Sequence, residues 1–190
     1  MKRNINADIR DQYEFFSELL YNEKKIRQKT IPLEEKKNNA YWLTGSTNVL
    51  HNNIEEDIKL TVEKRKQELK YAIKLRCTTL SEVPFFRFDS DGPAHRNDDP
   101  NIPLAQQIIT TPHFNSFNKE GVSIAYKTEV LKEGGQTLTA ILADINNGVA
   151  HFCDESKIVP EEVYPEILDT TSQLGFGESG VDLFHGLNFE

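Results

Sequence analysis

Two histidines stand at places typical of strand ends, and polar side chains surround both. His95 lies in the segment Arg87–Asn97, and His113 follows a polar loop. Two imidazoles can serve as acid and base near neutral pH without a metal. The sequence therefore predicts His95 and His113 as the catalytic pair of a metal-independent ribonuclease. One ring would accept the proton of a 2′-hydroxyl, and the other would protonate the leaving oxygen.

Polar residues near this pair could bind the substrate. Arg96 or Lys127 could neutralise the phosphate, and Asn97 or Asn115 could orient it through hydrogen bonds. Such a centre needs no cofactor, and none is predicted. A structural role for the same side chains stays open. In that alternative His95 and Asn97 bond the backbone of a tight turn, and His113 bridges strands.

A metal site is a further alternative. His95, His113, Asp89 and Asp91 could supply mixed nitrogen and oxygen ligands to zinc or manganese. Their spacing matches no dedicated metal motif. No metal is therefore predicted.

Composition limits the classes of function. The chain has 190 residues, of which 37% are apolar, and a formal charge of −8. This length and apolar content suit a single core, and the negative charge disfavours nonspecific binding of nucleic acid. Cys77 and Cys153 sit in apolar patterns, which predicts buried thiols in a reducing compartment. With neither a leader nor an apolar run of membrane-spanning length, the expected location is the cytoplasm, with no membrane contact.

The elements that would position these residues follow from hydrophobic spacing. Steps of three and four predict an amphipathic helix over residues 6–29, ended by the proline at position 32. An aromatic run at 40–43 predicts a strand that stops at Thr44-Gly45-Ser46. Apolar residues at every second position over 58–77 predict two strands that turn through 64–67, with one long helix as the alternative.

The second half of the chain predicts more strands and then helices. Strands are expected over 82–89, 108–117 and 121–128, with a polar surface loop at 97–101. A helical stripe covers 138–152, and a short helix is expected from 163 toward Gly175. The glycine-rich, partly apolar tail after Gly175 could dock on a partner.

Together these elements predict an α+β fold. An N-terminal helix would precede an antiparallel sheet of about five or six strands, and C-terminal helices would cover that sheet. The corresponding divisions are 1–30 for the helix, 31–158 for the sheet core with its covering helix, and 159–190 for the C-terminal helix and tail.

Two sequence blocks resemble an uncharacterised family of small bacterial domains. The blocks are Arg87-x-Asp89-x-x-Gly92-Pro93-x-His95-Arg96-Asn97 and Pro112-His113-Phe114-Asn115, and the resemblance spans about Thr30 to Lys157. Domains of this family are regarded as toxin-like or as parts of mobile elements and phage defence. Asn115 stands where the family has a second histidine, and Asp98-Asp99-Pro100-Asn101 replaces its Asp-Gly turn.

Two functions follow as hypotheses. The first is a component of a bacterial toxin, phage-defence or mobile-element system that acts on nucleic acid, with metal-independent cleavage of RNA by His95 and His113 as its more specific form. The second is a non-enzymatic acidic protein, an inhibitor, antitoxin-like protein or adaptor, that engages a partner protein through its negative surface and its C-terminal tail.

Overall fold

A computed structural model describes residues 5–99 and 102–169, and a curved sheet dominates this part of the chain. The strands in chain order are β1 (Lys24–Ile26), β2 (Thr30–Lys36), β3 (Asn39–His51), β4 (Ile58–Arg65), β5 (Tyr71–Cys77), β6 (Phe86–Asp89), β7 (His95–Arg96), β8 (Ile108–Ile109), β9 (His113–Phe117), β10 (Ser123–Tyr126), β11 (Ile158–Pro160) and β12 (Glu166–Asp169). The helices are α1 (Ala7–Asp11), α2 (Tyr13–Tyr21), α3 (Glu129–Glu133), α4 (Gly135–Ala143) and α5 (Ile145–Glu155), with a 3-10 turn at Leu104–Gln106.

Within the described residues, ten strands form one mixed sheet that curves into a half-barrel. Its main path runs β10-β9-β6-β5-β4-β3-β1-β11, while β2 pairs with β3 and with β12. Most neighbours are antiparallel, but β1–β11 and β2–β12 are parallel. The short strands β7 and β8 form a separate ribbon.

This architecture corrects the predicted fold class. The sheet is larger than the five or six antiparallel strands expected, it is mixed, and the helices are few and short rather than a C-terminal layer over the sheet. The additional strands β1, β11 and β12 have only three or four residues each. Such short segments carry too little alternation to be distinguished from helix or loop, and their pairing partners lie far away along the chain.

Three helix and strand boundaries were also wrong. The helix predicted over residues 6–29 ends at Tyr21, and Lys24–Ile26 is a strand with a buried lysine. The short helix predicted from residue 163 is instead strand β12, paired with β2. The helical stripe over 138–152 is split at Asp144, whose side chain accepts a hydrogen bond from the backbone N–H of Asn146 and begins α5.

The strand predicted at 40–43 does not stop at Thr44-Gly45-Ser46 but continues to His51. Gly45 is needed for a close approach rather than for a turn. A Cβ at this position would lie 2.4 Å from the backbone oxygen of Pro32 on β2. The absence of a side chain therefore lets β2 cross close to the face of β3.

The two strands predicted from alternation over 58–77 are confirmed. β4 and β5 pair antiparallel, with Ile58 opposite Cys77 and Lys64 opposite Tyr71. Their apolar positions are buried and their charged positions are at least partly exposed. Alternation succeeds here because one face packs on the core while the other contacts water.

The core lies on the inner face of the half-barrel. Phe86, Phe88 and Phe114 project from β6 and β9 and stack with Phe152 of α5 or with one another. Both Cys77 and Cys153 are free and buried, and Cys153 lies in this core. Because alternate residues on a strand point to opposite faces, Arg87, Asp89, His113 and Asn115 lie on the outer face.

None of the helices in the described parts of the chain is long and apolar enough to cross a membrane. The predicted tail after Gly175 lies outside the described residues. Part of the predicted polar loop, at positions 100 and 101, does so as well.

Candidate functional site

The candidate site lies on the outer face of three neighbouring strands, β6, β9 and β10. In the antiparallel register, Arg87 is opposite Asn115 and Asp89 is opposite His113. Asn115 is in turn opposite Ala125 of β10. This register brings together two blocks of sequence that the intervening loop separates.

Asp89 is the centre of the polar network. Its Oδ2 accepts hydrogen bonds from Arg87 Nε at 2.8 Å and from Asn115 Nδ2 at 2.9 Å. Arg87 Nη2 is 2.7 Å from the same oxygen, and His113 Nε2 is 3.7 Å away. Asp89 therefore holds the site together, and its bonded oxygen is engaged by donors rather than available as a general base.

The two predicted catalytic histidines are neighbours. The ring centroids of His95 and His113 are 6.3 Å apart, with an interplanar angle of 72°. Their environments differ, because the side chain of His113 is 2% exposed whereas His95 is half-buried and lines an open pocket. Burial lowers the pKa of His113, although the Asp89 carboxylate opposes that shift. His113 is therefore neutral near pH 7.

His95 and Asn97 bind the edge strand of the sheet. His95 Nε2 lies 3.3 Å from the carbonyl oxygen of Ser123, a distance at which a protonated Nε2 would donate to it. Asn97 Nδ2 donates to the Ala125 carbonyl at 2.8 Å, and Asn97 Oδ1 accepts from the Ala125 N–H at 2.7 Å. The Asn97 amide thus takes the place of a neighbouring strand along β10. This is a structural role for Asn97, directed at a strand edge rather than at a tight turn.

Three of the four predicted substrate-binding residues, Arg96, Asn97 and Lys127, do not line the pocket. Arg96 is exposed, and its Nε donates to Gln107 Oε1 at 3.2 Å. Lys127 Nζ donates to Thr110 Oγ1 at 3.2 Å. Neither residue lines the pocket that His95 and Asn115 share. Arg87 is the cation in the wall of that pocket.

The pocket has a volume of about 660 Å³, within the range of small-ligand sites. Its larger apolar lining residues are Ile5, Val83, Pro84 and Phe117. Its polar lining residues are Asn6, Asp8, Ser81, Glu82, Arg87, His95, Asn115 and Ser123. The N-terminal segment closes one side, since Asn6 Nδ2 donates to Ser81 Oγ at 3.0 Å and the Asn6 N–H donates to Gly121 O at 2.8 Å.

Sequence reasoning missed Arg87 and the contribution of Asn6 and Asp8. A signal for Arg87 was present, because it alternates with the buried Phe86 and Phe88 and must point to the opposite face. No local signal places Asn6 beside this face, since its neighbours there come from the loops around Ser81 and Gly121.

The residues considered as metal ligands are engaged in other ways. Asp91 Oδ2 is 3.4 Å from Lys70 Nζ, and Asp89 binds Arg87 and Asn115. Over residues 5–99 and 102–169, no group of three or more His, Cys, Asp or Glu side chains is arranged to hold a metal ion.

Comparison of the chain with protein-family models, with curated proteins and with solved structures gave no match. The resemblance to toxin-like bacterial domains therefore stays a prediction.

Proposed function

We propose that this pocket binds one nucleotide of single-stranded RNA and that His95 takes part in its metal-independent cleavage. The protein would act within a toxin, phage-defence or mobile-element system. The observation that carries the proposal is that the half-buried His95 imidazole and the Arg87 guanidinium line the same pocket as the apolar side chains of Ile5, Val83, Pro84 and Phe117. Apolar side chains suit a nucleobase, and a guanidinium suits a phosphate.

In this proposal the two histidines have different tasks. His95 touches the substrate and transfers a proton. His113, which is 2% exposed, is a positioning residue that packs edge-to-face on His95 and stays near Asp89. The partner in proton transfer is then a carboxylate of the pocket wall, Asp8 or Glu82.

The reaction is an intramolecular transesterification, in which the 2′-oxygen of the ribose replaces the 5′-oxygen on phosphorus. A carboxylate accepts the 2′-hydroxyl proton as that oxygen bonds to phosphorus, while protonated His95 donates a proton to the departing 5′-oxygen. The products are a 2′,3′-cyclic phosphate and a free 5′-hydroxyl. Arg87 offsets the charge that develops on the phosphate oxygens, because its guanidinium is partly exposed and lines the pocket.

The test is cleavage of single-stranded RNA by the purified chain in the presence of a metal chelator. We expect products that end in a 2′,3′-cyclic phosphate, and we expect His95→Ala to reduce the rate by about 10²- to 10⁴-fold while the variant stays folded at the assay temperature, as a thermal unfolding curve checks. His113→Asn should reduce the rate less and shift the pH profile, since it acts through His95. The exposed Lys25→Ala is the control. An inactive wild-type chain, or a fully active His95→Ala variant, would contradict the proposal.

A second candidate is the non-enzymatic acidic protein that engages a partner protein. It is favoured by the charge of −8 and by the mutual pairing of Arg87, Asp89 and Asn115, which stabilises the sheet without any ligand. A native pull-down would then recover a stoichiometric protein partner and no RNA, and His95→Ala would leave that complex intact.

A further inference from the structure

The outer face of the half-barrel carries a cluster of positive side chains next to the pocket. Lys59 on β4 is opposite Arg76 on β5, and Lys74 on β5 is opposite Arg87 on β6. Their chain neighbours Leu60, Leu75 and Phe86 are buried, so the four cations share the outer face. We call Lys59, Lys74, Arg76 and Arg87 the outer basic patch.

Only part of this charge is balanced locally. Glu63 binds Lys74 at 2.7 Å and Lys36 at 2.8 Å, and Asp89 binds Arg87. Within the described residues, Lys59 and Arg76 form no ion pair with a carboxylate, and both are exposed.

Carboxylates also flank the patch. Asp57 precedes Lys59 by two residues, and Glu82 lines the pocket together with Arg87. With Glu63 and Asp89 these make four carboxylates for the four cations, so the patch as a whole carries no excess charge. Its binding capacity for an anion lies in the exposed pair Lys59 and Arg76, which are opposite each other on β4 and β5 and have no carboxylate partner among the described residues.

The patch is continuous with the pocket, because Arg87 belongs to both. From Arg87 to Lys59 the path crosses two strand spacings and one two-residue step, roughly 12 Å in all. That length matches about two to four phosphates of a single strand. Thr61 lies beside Lys74 in the same row and Ser46 follows it on β3, so uncharged hydrogen-bonding groups extend the path.

We infer that the outer basic patch holds the backbone of single-stranded RNA that extends from the pocket across β6, β5 and β4. This inference rests on the proposed function, since it assigns the substrate beyond the nucleotide that the pocket takes. A single strand is favoured over a duplex because the pocket requires an unpaired base.

The test compares Lys59→Glu/Arg76→Glu with Lys25→Glu/Lys132→Glu. Both double variants change the net charge equally, and all four residues are exposed. Binding of a labelled RNA of about ten nucleotides is measured by anisotropy in the cleavage-deficient His95→Ala background at increasing salt. We expect the patch variant to bind at least about tenfold more weakly. The slope of log K against log salt concentration should also become less steep by about 1.4, which corresponds to two lost phosphate contacts. The control variant should retain both values.

Cleavage of a dinucleotide separates this inference from the proposed function. The patch variant should cleave a dinucleotide at the wild-type rate, because that substrate occupies the pocket alone, and should show a lower kcat/KM only on the longer RNA. If both double variants bind and cleave alike, the inference is overturned while the nuclease proposal stands. If the wild type binds RNA with the expected dependence on salt but cleaves neither substrate, the nuclease proposal fails and the inference about the outer basic patch stands. Absence of RNA binding by the wild type would overturn the inference.

Discussion

At the scale of single residues, side chains of β7 and of the residue that follows it complete the hydrogen bonding of an edge strand. An exposed edge leaves backbone donors and acceptors unpaired and open to association with other chains. Asn97 satisfies the N–H and the carbonyl of Ala125, and His95 lies against the carbonyl of Ser123. A residue chosen from sequence for its chemistry can thus have a structural task, and His95 stands at both the edge and the pocket.

Replacement of Asn97 by Ala should remove both hydrogen bonds to the buried Ala125. We expect a loss of about 1–3 kcal/mol in the free energy of unfolding, because two backbone groups are left without partners. Urea denaturation measures the loss. Asn52→Ala is the matched control, since Asn52 is exposed and its side chain bonds to no described residue. Equal midpoints for the two variants would show that the amide bonds contribute nothing.

At the scale of elements, a glycine allows α5 to pack closely against the sheet. A Cβ at Gly148 would lie 2.1 Å from Tyr71 Oη and 2.6 Å from its Cζ. Tyr71 is buried, and its hydroxyl donates to the carbonyl of Ile141 on α4. The glycine weakens the helix by propensity, but it allows α5 to approach β5 closely enough to bury Val149 and Phe152.

Gly148→Ala should therefore destabilise the protein by about 1–3 kcal/mol, despite the better helix propensity of alanine, because the added methyl group displaces Tyr71. Thermal unfolding provides the measurement. The control Asn147→Ala changes the adjacent exposed position and should shift stability by no more than about 0.5 kcal/mol. In a Tyr71→Leu background the cost of Gly148→Ala should shrink, and a cost that stays the same would assign the effect elsewhere.

At the scale of the whole molecule, a buried lysine links stability to pH. Lys24 is fully buried, and its Nζ donates to the carbonyls of Leu20 at 3.1 Å and Asn22 at 2.7 Å. Burial, followed by repulsion from Lys157, lowers the pKa of Lys24 to about 7. The unfolded chain keeps the ordinary pKa of 10.5, so between these two values the unfolded state binds one more proton than the folded state. The contribution of Lys24 to the free energy of unfolding therefore increases as the pH rises above 7.

Lys24→Met should remove that dependence. Between pH 7 and pH 9 the stability of the wild type relative to the variant should increase by roughly 1 kcal/mol per pH unit, the slope that one proton produces. Urea denaturation of both proteins across this range tests the expectation. Lys25→Met is the control, since Lys25 is the exposed neighbour on β1 and should leave the slope unchanged. Parallel pH profiles for wild type and Lys24→Met would contradict it.

Elements with a local signal could be predicted from the sequence. Alternation over Ile58–Cys77 predicted the β4–β5 hairpin, because an amphipathic sheet surface repeats every two residues. The spacing of His95 and His113 in two polar blocks also identified residues that prove to be adjacent. The hairpin depends only on residues close together in the chain, whereas the contact between the two histidines depends on how β7 and β9 pack.

The curved mixed sheet and the composition of the pocket depend on contacts between distant segments and could not be predicted from local patterns. The parallel pairs β1–β11 and β2–β12 join segments that are far apart in the chain. Three of these four strands, β1, β11 and β12, have only three or four residues, which is too few for a recognisable alternation. The unequal exposure of the two histidines, and the choice of Arg87 rather than Arg96 as the pocket cation, depend on which strand lies beside which. Periodicity assigns a side chain to a face, but only the register and packing of distant segments determine what it meets there.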